Sequence, residues 1–231
     1  MIDNLCTHSS YSRKLMLESS MMYDKNAIEN TYSVMKEFYE VVKNDENKNI
    51  VQSLQFKLCN LKDINHTISR LATSVVVDDI ELYEVKSLAL LSADVKNILE
   101  KISLDKIIKI PNLDDVVKIL DPDGLRIATF YIYDSYSEEL ASLRKKLKEK
   151  DVYQEEIYNE VMRIEDEIRA ELSSKLRPYS EAMTSALNAL ADVDINIAKS
   201  LQMKELGLCF PTISLDDISS YKGIFHPEVK S

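Results

Sequence analysis

Three cysteines and three histidines are the residues best able to bind a metal or form a nucleophile–base pair. Cys6, Cys59 and Cys209, taken with His8, His66 and His226, match no metal-ligand spacing. No E-x-x-H pair places two ligands on one helix face, and no nucleophile–base set is recognisable. A phosphate-cradling G-x-x-x-x-G-K-[ST] loop is absent, and Gly124, Gly207 and Gly223 alone cannot build one. The chain is therefore expected to carry no catalytic chemistry and no cofactor of its own.

The remaining polar groups suggest contacts rather than reactions. The run RKKLKEK sets Arg144, Lys145, Lys146, Lys148 and Lys150 at the end of a helical stretch. Such a tip could touch nucleic-acid phosphates. The plainer reading weighs more: cations near a helix C-terminus complement its dipole and stay solvated. Asp194 shares a face with Leu190, Ile197 and Leu201. A carboxylate there must find a donor or become protonated, because an unpaired buried charge is very costly; it reads as a hinge contact or as a polar residue at the edge of the stripe, and catalysis is not expected. Asp63 and Arg70 stand two helical turns apart on one face, suited to ion pairs with other helices, with His66 between them as a core-edge or surface residue. Phe130, Tyr131 and Tyr133 of TFYIY could stack on bases, but without interleaved cations they read as a packing plug.

Composition narrows the partners. The 231 residues carry a formal net charge of -10, which repels phosphate backbones unless cations cluster locally. Three glycines and five prolines are few, so turns are few and elements long, which means helices. No apolar leader and no membrane-length apolar run occur, so a soluble cytoplasmic protein without a membrane partner is expected. Three scattered cysteines suit a reducing compartment and buried free thiols.

Periodicity supplies the elements. A first helix is predicted over 9–22, and Asp24 caps a second carrying Ile28, Tyr32, Met35, Phe38 and Val42. The polar run 44–49 reads as a loop. Residues 50–72 carry one stripe, Leu54, Leu58, Leu61, Ile64, Ile68 and Leu71. SVVVDD reads as a connector ending in an N-cap at Asp78 or Asp79, followed by helices over 80–92 and 94–102 and a short one after Pro111–Asn112. DPDG (121–124) has type I turn chemistry, and Ser135 with Glu138 forms an S-x-x-E capping box for a new helix with Leu140, Leu143 and Leu147 on one face. Ile157, Val161, Ile164, Ile168, Leu172 and Leu176 then run nearly as a coiled-coil stripe. It resumes beyond Pro178, where a kink is expected, with Met183, Ala186, Leu190, Val193, Ile197 and Leu201, and Gly207 suits its stop.

The segments SRKLMLESS, LKDINHTISRLA, YDSYSEELASLR, ALADVDINIAKSLQMK and FHPEV, in that order, resemble the core and lever region of the MutS family of DNA mismatch-repair ATPases. SRKLMLESS is similar to a family helix through Lys14, Leu15 and Met16, with Ser12 where the family has Gly and Ser19 in place of a common Trp. LKDINHTISRLA matches through Asp63, Arg70 and Leu71, with His66 in place of an Arg. YDSYSEELASLR resembles the opening of the outgoing lever helix, and Leu190, Ala191 and Asp194 carry the signature of the returning one, so the resemblance implies a structural hydrogen bond at Asp194. FHPEV, through His226 and Pro227, is similar to the motif just ahead of the family's ATPase domain, where the resemblance implies contact with an adenine ring. Two features depart from the family: the β-rich clamp between the lever helices is missing, since only a turn near 149–152 fits there, and no phosphate loop occurs.

The expected architecture is all-α: a core bundle over 1–134, a lever over 135–205 and a junction over 206–231. The lever has an outgoing helix over 135–150 and a returning one over 152–205, kinked near Pro178, with its base packed on the bundle. The resemblance implies a non-enzymatic relay within a DNA-processing ATPase. ATP and Mg would belong only to an ATPase domain outside this chain. That domain, double-stranded DNA through the parent protein and a second copy are the implied partners. The competing reading is an acidic helical scaffold or dimerisation module with no DNA role. The stripe over 157–176 outruns the outgoing helix and needs a further partner: the core, a second subunit or the ATPase domain.

Overall fold

Side-chain caps decide where several helices begin. In the computed structural model, which describes residues 5–148, 154–213 and 220–224, the chain is about 70% helix with no strand among the described residues. Helix α1 (Ser10–Glu18) opens where the Ser9 hydroxyl accepts from Ser12 N, and α2 (Lys25–Lys43) where Asp24 accepts from Ala27 N. Each cap satisfies one backbone N–H that has no partner inside its helix. The polar run after α2 is a tight 3-10 turn, Asp45–Asn47, leading straight into α3 (Lys48–Leu58).

The single helix predicted over 50–72 is two. Helix α3 ends at Leu58 and α4 spans Asn65–Ala72, with Asp63 Oδ1 accepting from both the backbone and side-chain N–H of Asn65. No glycine or proline marks the break. Leu61 and Ile64 are buried within the turn, so the apolar spacing runs across it unchanged. The opposite happens next: the two helices predicted over 80–102 are one, α5 (Asp79–Lys101). Ser92, which resembles a cap in sequence, bonds Leu88 O inside the helix, and Asp94 pairs with Lys57 of α3.

Asp78 caps α5 as expected, in a full capping box: its carboxylate accepts from Glu81 N at 2.8 Å while Glu81 accepts from Asp78 N at 3.0 Å. Asp78→Ala removes one arm of that exchange and is expected to lower stability by about 1 kcal/mol, read as a shifted urea midpoint at unchanged slope. An unaltered midpoint would contradict the assignment.

After α6 (Asp114–Leu120) the DPDG turn closes with Gly124 N donating to Asp121 O at 2.9 Å, and Gly124 takes φ +66°. TFYIY lies outside any helix, and no strand forms there or elsewhere among the described residues. Helix α7 (Glu138–Leu147) is capped by Ser137, two residues later than predicted, because Ser135 is taken up in a 3-10 turn, Asp134–Tyr136. Helix α8 (Gln154–Leu176) passes through one 3-10 turn, Arg177–Tyr179, into α9 (Ser180–Leu206). That turn holds Pro178, where the kink was expected. Gly207 ends α9 with φ +64°, a left-handed value that costs little only without a Cβ.

Helix α9 is the axis of the bundle and packs against α1, α2, α3, α4 and α5. Met183, Ala186, Leu187, Leu190, Val193 and Ile197 form its buried side. Residues 180–206, read from sequence as the second half of the returning lever, thus run through the middle of the bundle. Helices α7 and α8 pack together, and α8 also meets α6 and α4. The stripe Val161, Ile164, Ile168, Leu172 and Leu176 is buried, so the core covers what α7 does not. At 1.5 Å per residue α7 is about 15 Å long against about 35 Å for α8, so pairing with α7 cannot extend to the base of α8.

The three cysteines are exposed rather than buried. Nothing in their spacing reports which face of an element they occupy. No helix among the described residues is long and apolar enough to cross a membrane. The turn predicted near 149–152, Lys150, His226 and Pro227 lie outside the described residues.

Candidate functional site: the joint between bundle and helical hairpin

Helix α5 sends a lysine into the apolar interior. Lys86 follows Leu82 and Val85 on the buried face, and its side chain is 1% exposed. Its ammonium donates to Asp121 Oδ1 at 2.9 Å and to Tyr133 Oη at 3.0 Å, and lies 5.2 Å from the Tyr133 ring centre. Asp121 Oδ2 accepts from Arg126 N at 2.6 Å, and the Tyr133 hydroxyl donates to Thr129 O. The whole seam over 121–133 is therefore wound around one buried cation, with Asp121 at its start and Tyr133 at its end.

Burial is the strongest single influence on Asp121 and pushes its carboxyl upward. The Lys86 ammonium and the backbone N–H groups of Arg126 and Leu125 together outweigh it and hold the group below the usual carboxylate range. Tyr133 is ringed by Phe130, Tyr131 and Tyr136 at centroid separations of 5.9, 4.4 and 5.9 Å. Tyr136 donates to Ile119 O at 2.9 Å, which fixes the seam to the end of α6, and burial raises its phenol above the ordinary value. Of the aromatic segment, Ile132 and Tyr133 are buried and Phe130 packs against the core, while Tyr131 is exposed, so only part of it is the packing plug expected from sequence.

Above the plug, Arg144 of α7 closes the joint. Its guanidinium donates to Ile132 O at 2.7 Å and Glu165 of α8 at 2.7 Å, and also to Asp134. Of the basic run, Arg144 is thus committed within the chain and joins the seam, α7 and α8. Lys145, Lys146 and Lys148 are exposed and make no ion pair among the described residues. On the other side of α8, Arg169 bonds Asp79 at the start of α5 through both Nε (2.8 Å) and Nη2 (3.2 Å), and Ser173 Oγ accepts from Val77 N at 3.1 Å.

Asp194 is fully buried in α9. Its carboxylate accepts from His8 N and Ser9 N at 3.0 Å and meets His8 Nδ1 at 3.2 Å. The structural hydrogen bond expected for this residue is present, and its donors belong to the N-terminal end of α1. Asp63 and Arg70 each reach another helix, Lys14 of α1 at 2.8 Å and Glu81 of α5 at 2.7 Å, and not each other. Asp63 and Lys14 both retain substantial exposure, so their pair contributes little. Ser12 is fully buried, and its hydroxyl lies 2.6 Å from that of Ser9.

Lys86 was missing from the sequence-derived candidates. The available signal was its position among Leu82, Val85 and Ala89, at helical spacing on an apolar face. Among the described residues no group of three or more His, Cys, Asp or Glu side chains could hold a metal ion. The polar contacts of the joint connect α5, the seam, α7 and α8.

No protein-family model matches the chain, and no curated protein matches it.

Proposed function

We propose that this chain is the core and lever region of a MutS-like DNA-processing ATPase, relaying nucleotide-driven movement from an ATPase domain toward a DNA-binding end. The reading rests on the ordered sequence resemblance, and one structural observation supports it most. Helices α8 and α9, separated by a single 3-10 turn at Pro178, give about 80 Å of nearly continuous helix. One end runs among α1 to α5, and the other is held against α7 by Arg144. Such a rod can transmit a displacement without doing chemistry, because close-packed interfaces shift as units rather than deform gradually.

The test is DNA-responsive ATP hydrolysis by the full product of the gene that encodes this chain. Hydrolysis that changes on adding mismatched duplex is the expected result. A product inert toward both ATP and duplex DNA overturns the proposal.

DNA contact by the chain itself would fall to the solvated end of α7. Changing Lys145, Lys146 and Lys148 together to Glu is expected to weaken duplex binding about 10-fold or more near 0.1 M salt and to flatten its salt dependence. Equal affinity of the two forms rejects that contact. The net charge of -10 favours a second reading, an acidic scaffold that self-associates without DNA. A concentration-dependent dimer in light scattering, with no duplex binding at any salt, would select it.

A further inference from the structure

A groove away from the joint runs between the α3–α4 turn and α5. Tyr83, Glu84, Ser87, Leu88, Leu91 and Asp94 of α5 line it for about 16 Å at 1.5 Å per residue. Leu61 and Ile64 form much of the opposite wall, and Ala128 of the seam also borders it. The groove is open to solvent along one side and its volume is about 190 Å³, smaller than a drug-sized pocket and enough for one aromatic ring with a short chain.

The polar groups differ from end to end. At the far end Lys57 and Asp94 neutralise each other at 2.6 Å. At the near end Lys62 lies over the Tyr83 ring, 5.5 Å from its centre, and makes no ion pair among the described residues. Glu84 stands at the same end with Oε2 held by the Thr67 hydroxyl at 2.7 Å. One turn further along, Ser87 Oγ is buried without a hydrogen-bond partner among the described residues, an uncommon state for a buried hydroxyl.

We propose that this groove is a binding site for a small apolar monoanion, an aryl or alkyl carboxylate. Its carboxylate pairs with Lys62 above Tyr83 and accepts from Ser87 Oγ, and its apolar body covers Leu88 and Leu91. Lys62 selects an anion because, unlike Lys57, it forms no ion pair among the described residues. Glu84, which lines the same groove, repels a doubly charged phosphate more than a monoanion. The site is independent of the role proposed for the joint.

The probe is 3-phenylpropionate, titrated into the chain and followed by amide chemical shifts, with 3-phenylpropanol as its neutral counterpart. Saturable shifts are expected at 60–62 and 83–91, with a Kd of about 1 mM or below for the acid and about 10-fold weaker binding for the alcohol. Lys62→Glu, an exposed change that spares the fold, should remove that discrimination. Ser87→Leu should block both ligands. Absence of saturable shifts, shifts centred elsewhere, equal binding of acid and alcohol, or discrimination that survives Lys62→Glu each overturn the proposal.

Discussion

Lys86→Met is expected to destabilise the protein by about 3–5 kcal/mol, the range for removing one partner of a buried ion pair. Methionine fills nearly the same volume, so little of the loss is cavity. The cost comes from Asp121, whose side chain is 1% exposed and would keep only the backbone N–H bonds of the seam. Asp121→Asn should also be costly, because its single amide oxygen can serve only one of the two donors, Lys86 or Arg126 N, and the buried ammonium loses its counter-charge. Pairing Lys86→Met with Asp121→Leu should recover part of the single-variant loss, since replacing both members leaves no unpaired charge. Urea denaturation of the four forms measures this directly. A Lys86→Met protein within about 1 kcal/mol of the parent would show that the ammonium does not hold the seam.

The same pair fixes a pH dependence. The Asp121 carboxyl titrates below its ordinary value of 3.8 in the folded chain, so folding favours its charged form. Its contribution is fully present above about pH 4 and fades as pH falls through the lower folded value. Lys86→Met removes the ammonium that lowers it, so the variant should lose less stability than the parent across that acid range.

Much of this fold could be read from the residues, and the failures have physical causes. The stripe from Ile157 to Leu176, the break at Pro178 and the stop at Gly207 were legible because each depends on local chemistry: apolar spacing, a missing N–H, a left-handed φ. The break over 59–64 was not, because Leu61 and Ile64 stay buried through the turn and preserve the spacing of a continuous helix. Helix α5 failed in the opposite sense, as Ser92 looks like a cap yet bonds within the helix. At the joint, the packing role of Phe130 and Tyr133 was legible, but the centre was overlooked. A lysine on an apolar stripe usually lays its stem along the surface and sends its ammonium to water. Only the return of Asp121 and Tyr133, 35 and 47 residues further along the chain, turns that position inward. The basic run divides for a related reason. Arg144 has a planar fork that can join three acceptors at once, while its lysine neighbours remain solvated.

Asp194 makes the second large effect. Asp194→Ala should cost about 2–4 kcal/mol, because His8 N and Ser9 N lose a charged acceptor and Ser9 is buried. The aspartate is fully buried with no Lys or Arg among the partners described for it. It sits against the start of α1, where unpaired backbone N–H groups and the helix dipole favour a negative charge. That placement explains how the carboxylate is accommodated on the apolar side of α9. It also makes the loss local: hydrogen exchange should accelerate first in α1, while α5, joined through Lys86, keeps its protection. Asp194→Asn retains one acceptor oxygen and should fall between the parent and the alanine variant. If Asp194→Ala leaves both the urea midpoint and the exchange of α1 unchanged, the carboxylate does not tie the two ends of the chain together, and α1 is held by packing alone.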